Sequence, residues 1–505
     1  MQETTVQAEH ESLIRYLQNV LTPDQLARPL LSSFNHWNTA QGALAEIALT
    51  LHESGSNVTI AFWGDKTPML DVGWESSRKL GSLFFSPTKE QQIERALKVA
   101  GFSKSNFARP PIKRWKPAEP IELPTICQRT NIRAMTYRGA ELGRAILQVN
   151  PDQNTPLTDE HLWPRKWVHS AAESFAFVFD QTLELIRSRE ITCLAVYNGR
   201  FLHDWAASAA AKASGIPVLN YDLGGHHTNF DLTIDDTHDW EALQRRMLSL
   251  YASWDPNERD SVGGSWFLER SEHKDPSNSK FVEAQSIGTS VEVPPGKKIV
   301  VFFSSSGDEI SELDLDWNDY FGSQENALKL VSRICDEDPN IYFIVRSHPH
   351  KRHKPERDVR EWLASVNKAN PDLHLDPHSE VDSYTLMRQA DLVITYGSTT
   401  GIEAAFAGKP VIVMGPSAYN SLGAAVQVFN ENDLRAAIET PQTGSLEGSI
   451  SFGLLMKKRG FNFQRIRKIS ETEFAIGSER VAQNSGIVQK LSHLHKEFKL
   501  RKMRN

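Results

Sequence analysis

Four short stretches gather hydroxyl, carboxylate, guanidinium and imidazole groups at the ends of apolar runs: Ser304 to Glu309, Arg346 to His350, Asp376 to Ser379 and Gly397 to Glu403. The Arg346 guanidinium offers a fork of donors suited to phosphate oxygens. Ser305, Ser398, Thr399 and Thr400 supply hydroxyls, Glu403 supplies a carboxylate for a ribose or sugar hydroxyl, and Asp308 adds a second carboxylate on the donor side. His348 follows an apolar run and precedes Pro349, which places it better for ligand contact than His350, His353 or His378. This inventory suits a nucleotide diphosphate. Read alone, Gly397 to Glu403 is equally an ordinary strand-to-helix connection with a capping hydroxyl.

A second group lies earlier in the chain. Asn198, Arg200 and Asp222 follow or end two apolar runs, Ile191 to Tyr197 and Ile216 to Tyr221. A cation and a carboxylate on neighbouring strand ends suit a polar substrate, although a loop salt bridge and a capping Asp would leave the same pattern.

The elements that must carry these groups follow from periodicity. Leu392 to Tyr396, Ile299 to Phe303, Ile341 to Val345 and Pro410 to Met414 are short runs rich in β-branched residues, as buried parallel strands are. Helices are expected over 324–335, 383–389, 403–407 and 431–440, giving an α/β domain whose strand ends face one crevice. Upstream, a helix over 41–54 leads to a strand over 57–63, with Gly64 and Asp65 at its carboxyl end. An amphipathic helix over 167–189, a strand, an Ala-rich helix over 204–214 and another strand make a second α/β unit. Residues 64–130 show little periodicity beyond a helix near 90–99, and 255–290 are polar enough to be expected as a linker.

Composition narrows the function. A net charge of −7 over 505 residues argues against a general nucleic-acid binder. Three scattered cysteines, Cys127, Cys193 and Cys335, form neither a disulfide framework nor a zinc pattern and fit a reducing cytosol. The first ten residues are too polar for a secretory signal, and no apolar run reaches the roughly 18 residues of a membrane span. Asp314 and Asp316 match a carboxylate-x-carboxylate metal pattern but lie in an acidic run with no strand before them. His203, His226, His227 and His238 lack helical metal-ligand spacing. No Walker A or Gly-x-Gly-x-x-Gly sequence is present. From about residue 451 the chain turns basic, and 487–503 reads either as a basic amphipathic helix for anionic lipid or as a solvated helix.

Taken together, Arg346-Ser-His-Pro-His, Ser383 to Met387, Ala390-Asp391, Gly397 to Ala404 and Gly408-Lys-Pro resemble bacterial capsule and surface-polysaccharide biosynthesis glycosyltransferases of the GT-B type. Asn198-Gly-Arg200 and the strand ending at Asp222-Leu-Gly224 are similar to the acceptor-side half of that group, so the resemblance covers about residues 190–430. It implies two Rossmann-like doubly wound domains facing a cleft, an acceptor held by the first and a nucleotide-sugar donor by the second. The nucleotide sugar is then a substrate, with no cofactor and no essential metal. On that basis the domains are expected at 1–254 (acceptor side), 255–294 (linker), 295–450 (donor side) and 451–505 (basic helical tail). Asp222 would be the base, with His348 and Arg346 at the departing phosphate. The group often carries a different acid at the position of Asp222, so Asp222 could instead orient the acceptor, with Asp65 or Asp204 as the base. The implied setting is cytoplasmic, at the inner face of the plasma membrane, with a glycan or lipid-linked glycan acceptor. A polyol-phosphate transferase of the teichoic-acid type and a non-catalytic scaffold of a polysaccharide assembly are the alternatives.

Overall fold

The protein is seen here as a computed structural model that describes residues 13–33, 38–63, 89–110, 115–148, 162–224, 229–236, 239–275, 278–305, 320–353, 356–470 and 473–482. The chain forms two compact units, one of residues 1–237 and 459–505, the other of residues 238–458.

In the first unit, β1 (Pro29–Ser33), β2 (Thr59–Phe62), β3 (Phe107–Ala108), β4 (Cys193–Tyr197) and β5 (Val218–Leu223) run parallel, and β6 (Asn229–Thr233) lies antiparallel on β5. Their order is β6-β5-β4-β1-β2-β3, the doubly wound arrangement in which connections reverse direction beside the first strand. Strand side chains alternate between two cores. Leu30, Ala61, Leu194 and Val196 enter one, and Leu31, Ile60, Phe62, Ala195 and Tyr197 enter the other. The helix Arg165–Arg189 buries Phe175, Val178 and Phe179 in the first of these cores and stops at Glu190, in the left-handed region (φ 52°).

The second unit repeats the arrangement. Strands β7 (Lys298–Phe303), β8 (Ile341–Arg346), β9 (Leu373–Leu375), β10 (Leu392–Thr395), β11 (Val411–Val413) and β12 (Val426–Gln427) are all parallel, in the order β12-β11-β10-β7-β8-β9. Each unit by itself therefore has the Rossmann-like sheet expected from the sequence. The order reverses between β7 and β10, so the loops after Phe303 and Thr395 flank the point where such sheets bind ligands.

The expected boundaries are corrected in three places. The first unit breaks off at residue 237 and not at 254, because the helix Trp240–Ser253 buries Met247 in the core of the second unit. Residues 255–294 are not a linker. They hold the helices Pro256–Ser271 and Ser279–Val282, and Trp266, Phe267, Val282 and Val291 are buried in the core of the second unit. Nor does a separate tail begin at 451. The helix Leu446–Lys458 buries Phe452, Leu454 and Leu455 in the second unit. The chain then returns to the first unit. There β13 (Phe461–Asn462) pairs antiparallel with β6, and β14 (Ile466–Ser470), β15 (Glu473–Ile476) and β16 (Glu479–Ala482) form a small antiparallel sheet. The basic side chains here have acidic partners: Arg465 binds Glu46 and Glu53, and Arg459 binds Asp231. The expected basic helix over 487–503 lies outside the described residues. Among the described residues no helix is long and apolar enough to cross a membrane.

Candidate functional site

In the second unit, three of the four expected strand ends are tied together around Arg346. This residue ends β8 beside Phe303 of β7 and Leu375 of β9. Its side chain is 1% exposed. Nη2 donates to the Ser379 carbonyl at 3.3 Å, while Nε and Nη1 meet no acceptor among the described residues. Burial pushes the guanidinium down to about 10, against the pull of Asp376 and Asp382. A buried cation left incompletely paired is costly, by several kcal/mol per ion in order of magnitude. The arrangement fits an anion brought from outside.

The loops on either side complete a polar wall. Ser304 Oγ accepts from the His348 amide at 2.8 Å, and the Ser305 hydroxyl is buried without a partner among the described residues. His348 Nδ1 accepts from the His350 amide at 3.2 Å, so in the neutral ring the proton sits on Nε2. Phe281, from the segment expected to be a linker, sets its ring 5.5 Å from His348 and 6.1 Å from His350. Behind the wall, Ser347 Oγ accepts from Trp362 Nε1 at 2.7 Å and lies within hydrogen-bonding distance of His374 Nε2, at 2.9 Å. Burial pushes His374 below its ordinary value, which favours the neutral ring. Asp308 lies outside the described residues, as do Asp314 and Asp316.

The Gly397–Glu403 turn follows β10. Gly397 has φ +102°, and a Cβ there would stand 2.0 Å from the Pro416 carbonyl oxygen, so the turn requires glycine. The Ser398 amide donates to Thr395 Oγ1 at 3.0 Å, and Ser398 Oγ accepts from the Thr400 amide at 3.3 Å. Tyr419 is buried and donates its hydroxyl to the Ser398 carbonyl at 2.5 Å. Thr399 is exposed and its side chain makes no capping bond. The helix Thr400–Phe406 starts three residues earlier than the spacing of apolar residues implied.

Glu403 is placed differently from its expected contact with a ribose or sugar hydroxyl. It is 6% exposed, and Oε1 accepts from Arg270 Nε at 2.5 Å. Arg270 also binds Asp275 and Asn278 at 3.2 Å each and lies 4.5 Å from the centre of the Trp266 ring. Asn278 in turn donates to the Tyr384 hydroxyl at 3.0 Å. Glu403 thus anchors the helix behind the turn to the helix Pro256–Ser271, and Arg270 was missed because its segment is polar and far off in sequence.

In the first unit, Asn198 follows β4 in the left-handed region (φ 59°) and donates from Nδ2 to Asp222 Oδ2 at 2.5 Å. The Leu223 amide donates to Asp222 Oδ1 at 2.7 Å. Burial raises the Asp222 carboxyl above its ordinary value, opposed by the Leu223 amide, Arg459, Asn198 and Tyr197. That direction suits a proton acceptor at work near neutrality. Arg200 is half-buried, 5.2 Å from the Phe201 ring centre. Of the other candidate bases, Asp204 is 1% exposed on the helix Leu202–Ala213, and Asp65 lies outside the described residues. Among the described residues no group of three His, Cys, Asp or Glu side chains is arranged to hold a metal.

Each unit is thus a doubly wound α/β sheet with polar side chains at its strand ends. Residues 306–443, which carry Arg346, His348 and the Gly397–Glu403 turn, match the family described as capsule polysaccharide biosynthesis protein. Among solved structures, the beta Kdo 2,4 transferase of Thermosulfurimonas dismutans KpsC is similar at 15% identity, over 54% of this chain and 85% of that one, with a TM-score of 0.34. The beta Kdo 2,7 transferase of the same protein is similar at 16% identity, over 64% and 89%, with a TM-score of 0.35. UDP-GlcNAc 2-epimerase from Neisseria meningitidis is similar at 10% identity, over 94% and 99%, with a TM-score of 0.26. No curated protein matches the chain.

Proposed function

We propose that this protein is a glycosyltransferase that moves a sugar from a nucleotide-sugar donor onto a growing cell-surface glycan, in capsule or lipopolysaccharide synthesis. The observation that carries the reading is the buried Arg346 guanidinium, with Nε and Nη1 unpartnered among the described residues at a strand end next to the β7–β10 reversal. The match of residues 306–443 to a capsule polysaccharide biosynthesis family supports the polymer.

In this reading Arg346, Ser305 and the Ser398–Thr400 turn hold the donor phosphate, and His348 Nε2–H donates to the oxygen that leaves. Asn198 and Arg200 hold the acceptor. Asp222 takes the proton of the acceptor hydroxyl as that oxygen bonds to the anomeric carbon. The bond from that carbon to the phosphate oxygen breaks, and its electron pair leaves on the nucleotide. The acceptor is a glycan or lipid-linked glycan on the inner face of the plasma membrane, a reading supported by the basic composition of 487–503.

The test is a panel of nucleotide sugars and cytidine diphosphate glycerol, read by thermal shift and slow donor hydrolysis. A shift and hydrolysis with one nucleotide sugar, both lost in Arg346→Ala, is the expected result. A response to cytidine diphosphate glycerol alone would make the protein a polyol-phosphate transferase, and no response to any donor would leave it a scaffold.

A further inference from the structure

The chain re-enters the first unit at Arg459, beside the candidate base. Arg459 Nη2 donates to the Leu223 carbonyl at 2.6 Å, one residue beyond Asp222. Its Nε stands 3.2 Å from Asp231 Oδ2, in an ion pair not aligned as a hydrogen bond. The β5–β6 register sets Asp222 directly opposite Asp231, which puts both carboxylates on one face of the sheet. The backbone around Arg459 is pinned as well. Asn229 Nδ2 donates to its carbonyl at 3.0 Å. Gly460 has φ +100°, and a Cβ there would lie 2.4 Å from the Phe230 carbonyl oxygen. The guanidinium is thus seated from both sides, with 22% of the side chain exposed.

We propose that Arg459 is a positioning residue for Asp222: it neutralises Asp231 and holds the strand end at Leu223, leaving Asp222 as the carboxylate that receives the acceptor proton. The proposal rests on the reading of Asp222 as the base. Among the described residues, the charged or titratable groups set about Asp222 are Tyr197 of β4, Asp231 of β6 and Arg459 before β13, with Asp204 acting on Tyr197. Burial disfavours the Asp222 anion and Arg459 favours it. Removing the guanidinium takes away that support and also unmasks the Asp231 charge. Both changes move Asp222 the same way, toward holding its proton.

The experiment uses the full chain with 13C-labelled aspartate, following the Asp222 carboxyl by NMR alongside the pH profile of kcat/KM. In Arg459→Gln the Asp222 titration and the acidic limb of the profile should both move up by about one pH unit, with donor KM unchanged. Arg459→Lys should restore most of the wild-type titration. Asp231→Asn, which frees Arg459 to act on Asp222, should move the titration down. That variant decides the matter if Arg459→Gln does not fold. A folded Arg459→Gln or Asp231→Asn protein with an unmoved Asp222 titration overturns the proposal. If instead the NMR titration shifts as expected but Asp222→Asn turns over normally, the coupling stands and the assignment of the base fails.

Discussion

Arg270 Nε lies 2.5 Å from Glu403 Oε1, and both side chains are buried in the second unit. The pair joins the helix Pro256–Ser271 to the short helix that follows the Ser398–Thr400 turn. Removing Arg270 strands the Glu403 charge away from water, and removing Glu403 leaves Arg270 with Asp275 as its remaining carboxylate among the described residues. We therefore expect Glu403→Ala and Arg270→Ala each to lower the stability of the second unit by about 3–5 kcal/mol. The double variant Arg270→Met/Glu403→Leu should recover much of that loss. Urea midpoints of the three proteins test this. Single variants as stable as wild type would show that the pair carries no structural role.

Arg346 should behave in the opposite way. Its guanidinium makes one long hydrogen bond, to Ser379, and its other donors meet nothing among the described residues. Arg346→Met keeps the bulk and removes the buried charge, so its stability should lie within about 2 kcal/mol of wild type or above it. Nucleotide-sugar affinity should fall at least about tenfold, the scale of one charge-assisted hydrogen bond. Calorimetric titration and thermal melting separate the two effects. A variant that binds normally but melts early would make Arg346 a structural residue.

Tyr419 supports the turn from behind. Burial pushes its hydroxyl well above the ordinary tyrosine value, so it remains a donor to the Ser398 carbonyl throughout the neutral range. Tyr419→Phe deletes that bond with little change of shape, which should cost about 1 kcal/mol of stability. Donor affinity should weaken several-fold while the dependence of turnover on acceptor concentration stays the same. Loss of acceptor saturation with donor binding intact would contradict this placement of the turn.

The strand ends that build the polar wall were legible because each follows a run whose alternate residues enter two cores, as Val300 and Phe302 do against Ile299, Val301 and Phe303. Such runs mark parallel strands, and the loops at their carboxyl ends mark the ligand edge. The helix Pro256–Ser271 was not legible. Gly263, Gly264 and Ser265 lower its intrinsic helix propensity, and its helical state depends on burying Trp266 and Phe267 in tertiary contacts. The pairing of Arg270 with Glu403 spans 133 residues, a distance over which spacing carries no signal. The return of the chain after Lys458 was hidden for a related reason. Arg459 and Arg465 resemble a wet basic run until Asp231, Glu46 and Glu53 are seen beside them.

Glu46 gives that returning segment a pH dependence. Its carboxylate is buried on the helix Asn38–Glu53 and accepts from the Arg465 amide at 2.9 Å and the Ile466 amide at 3.0 Å, with the Arg465 guanidinium alongside. Burial nevertheless outweighs these partners and raises Glu46 above its ordinary value of 4.5. A carboxyl raised on folding binds a proton more readily in the folded state, so its ionisation costs stability at neutral pH. That cost fades as pH falls through the raised value toward 4.5. Glu46→Gln cannot ionise, so the stability of wild type relative to this variant should rise as pH is lowered from 7.5 toward about 4.5. Urea unfolding of both proteins across that range, followed through the transition of the first unit, measures the difference. A difference that falls with acidification would mean that the Arg465 and Ile466 contacts, and not burial, decide the charge of Glu46.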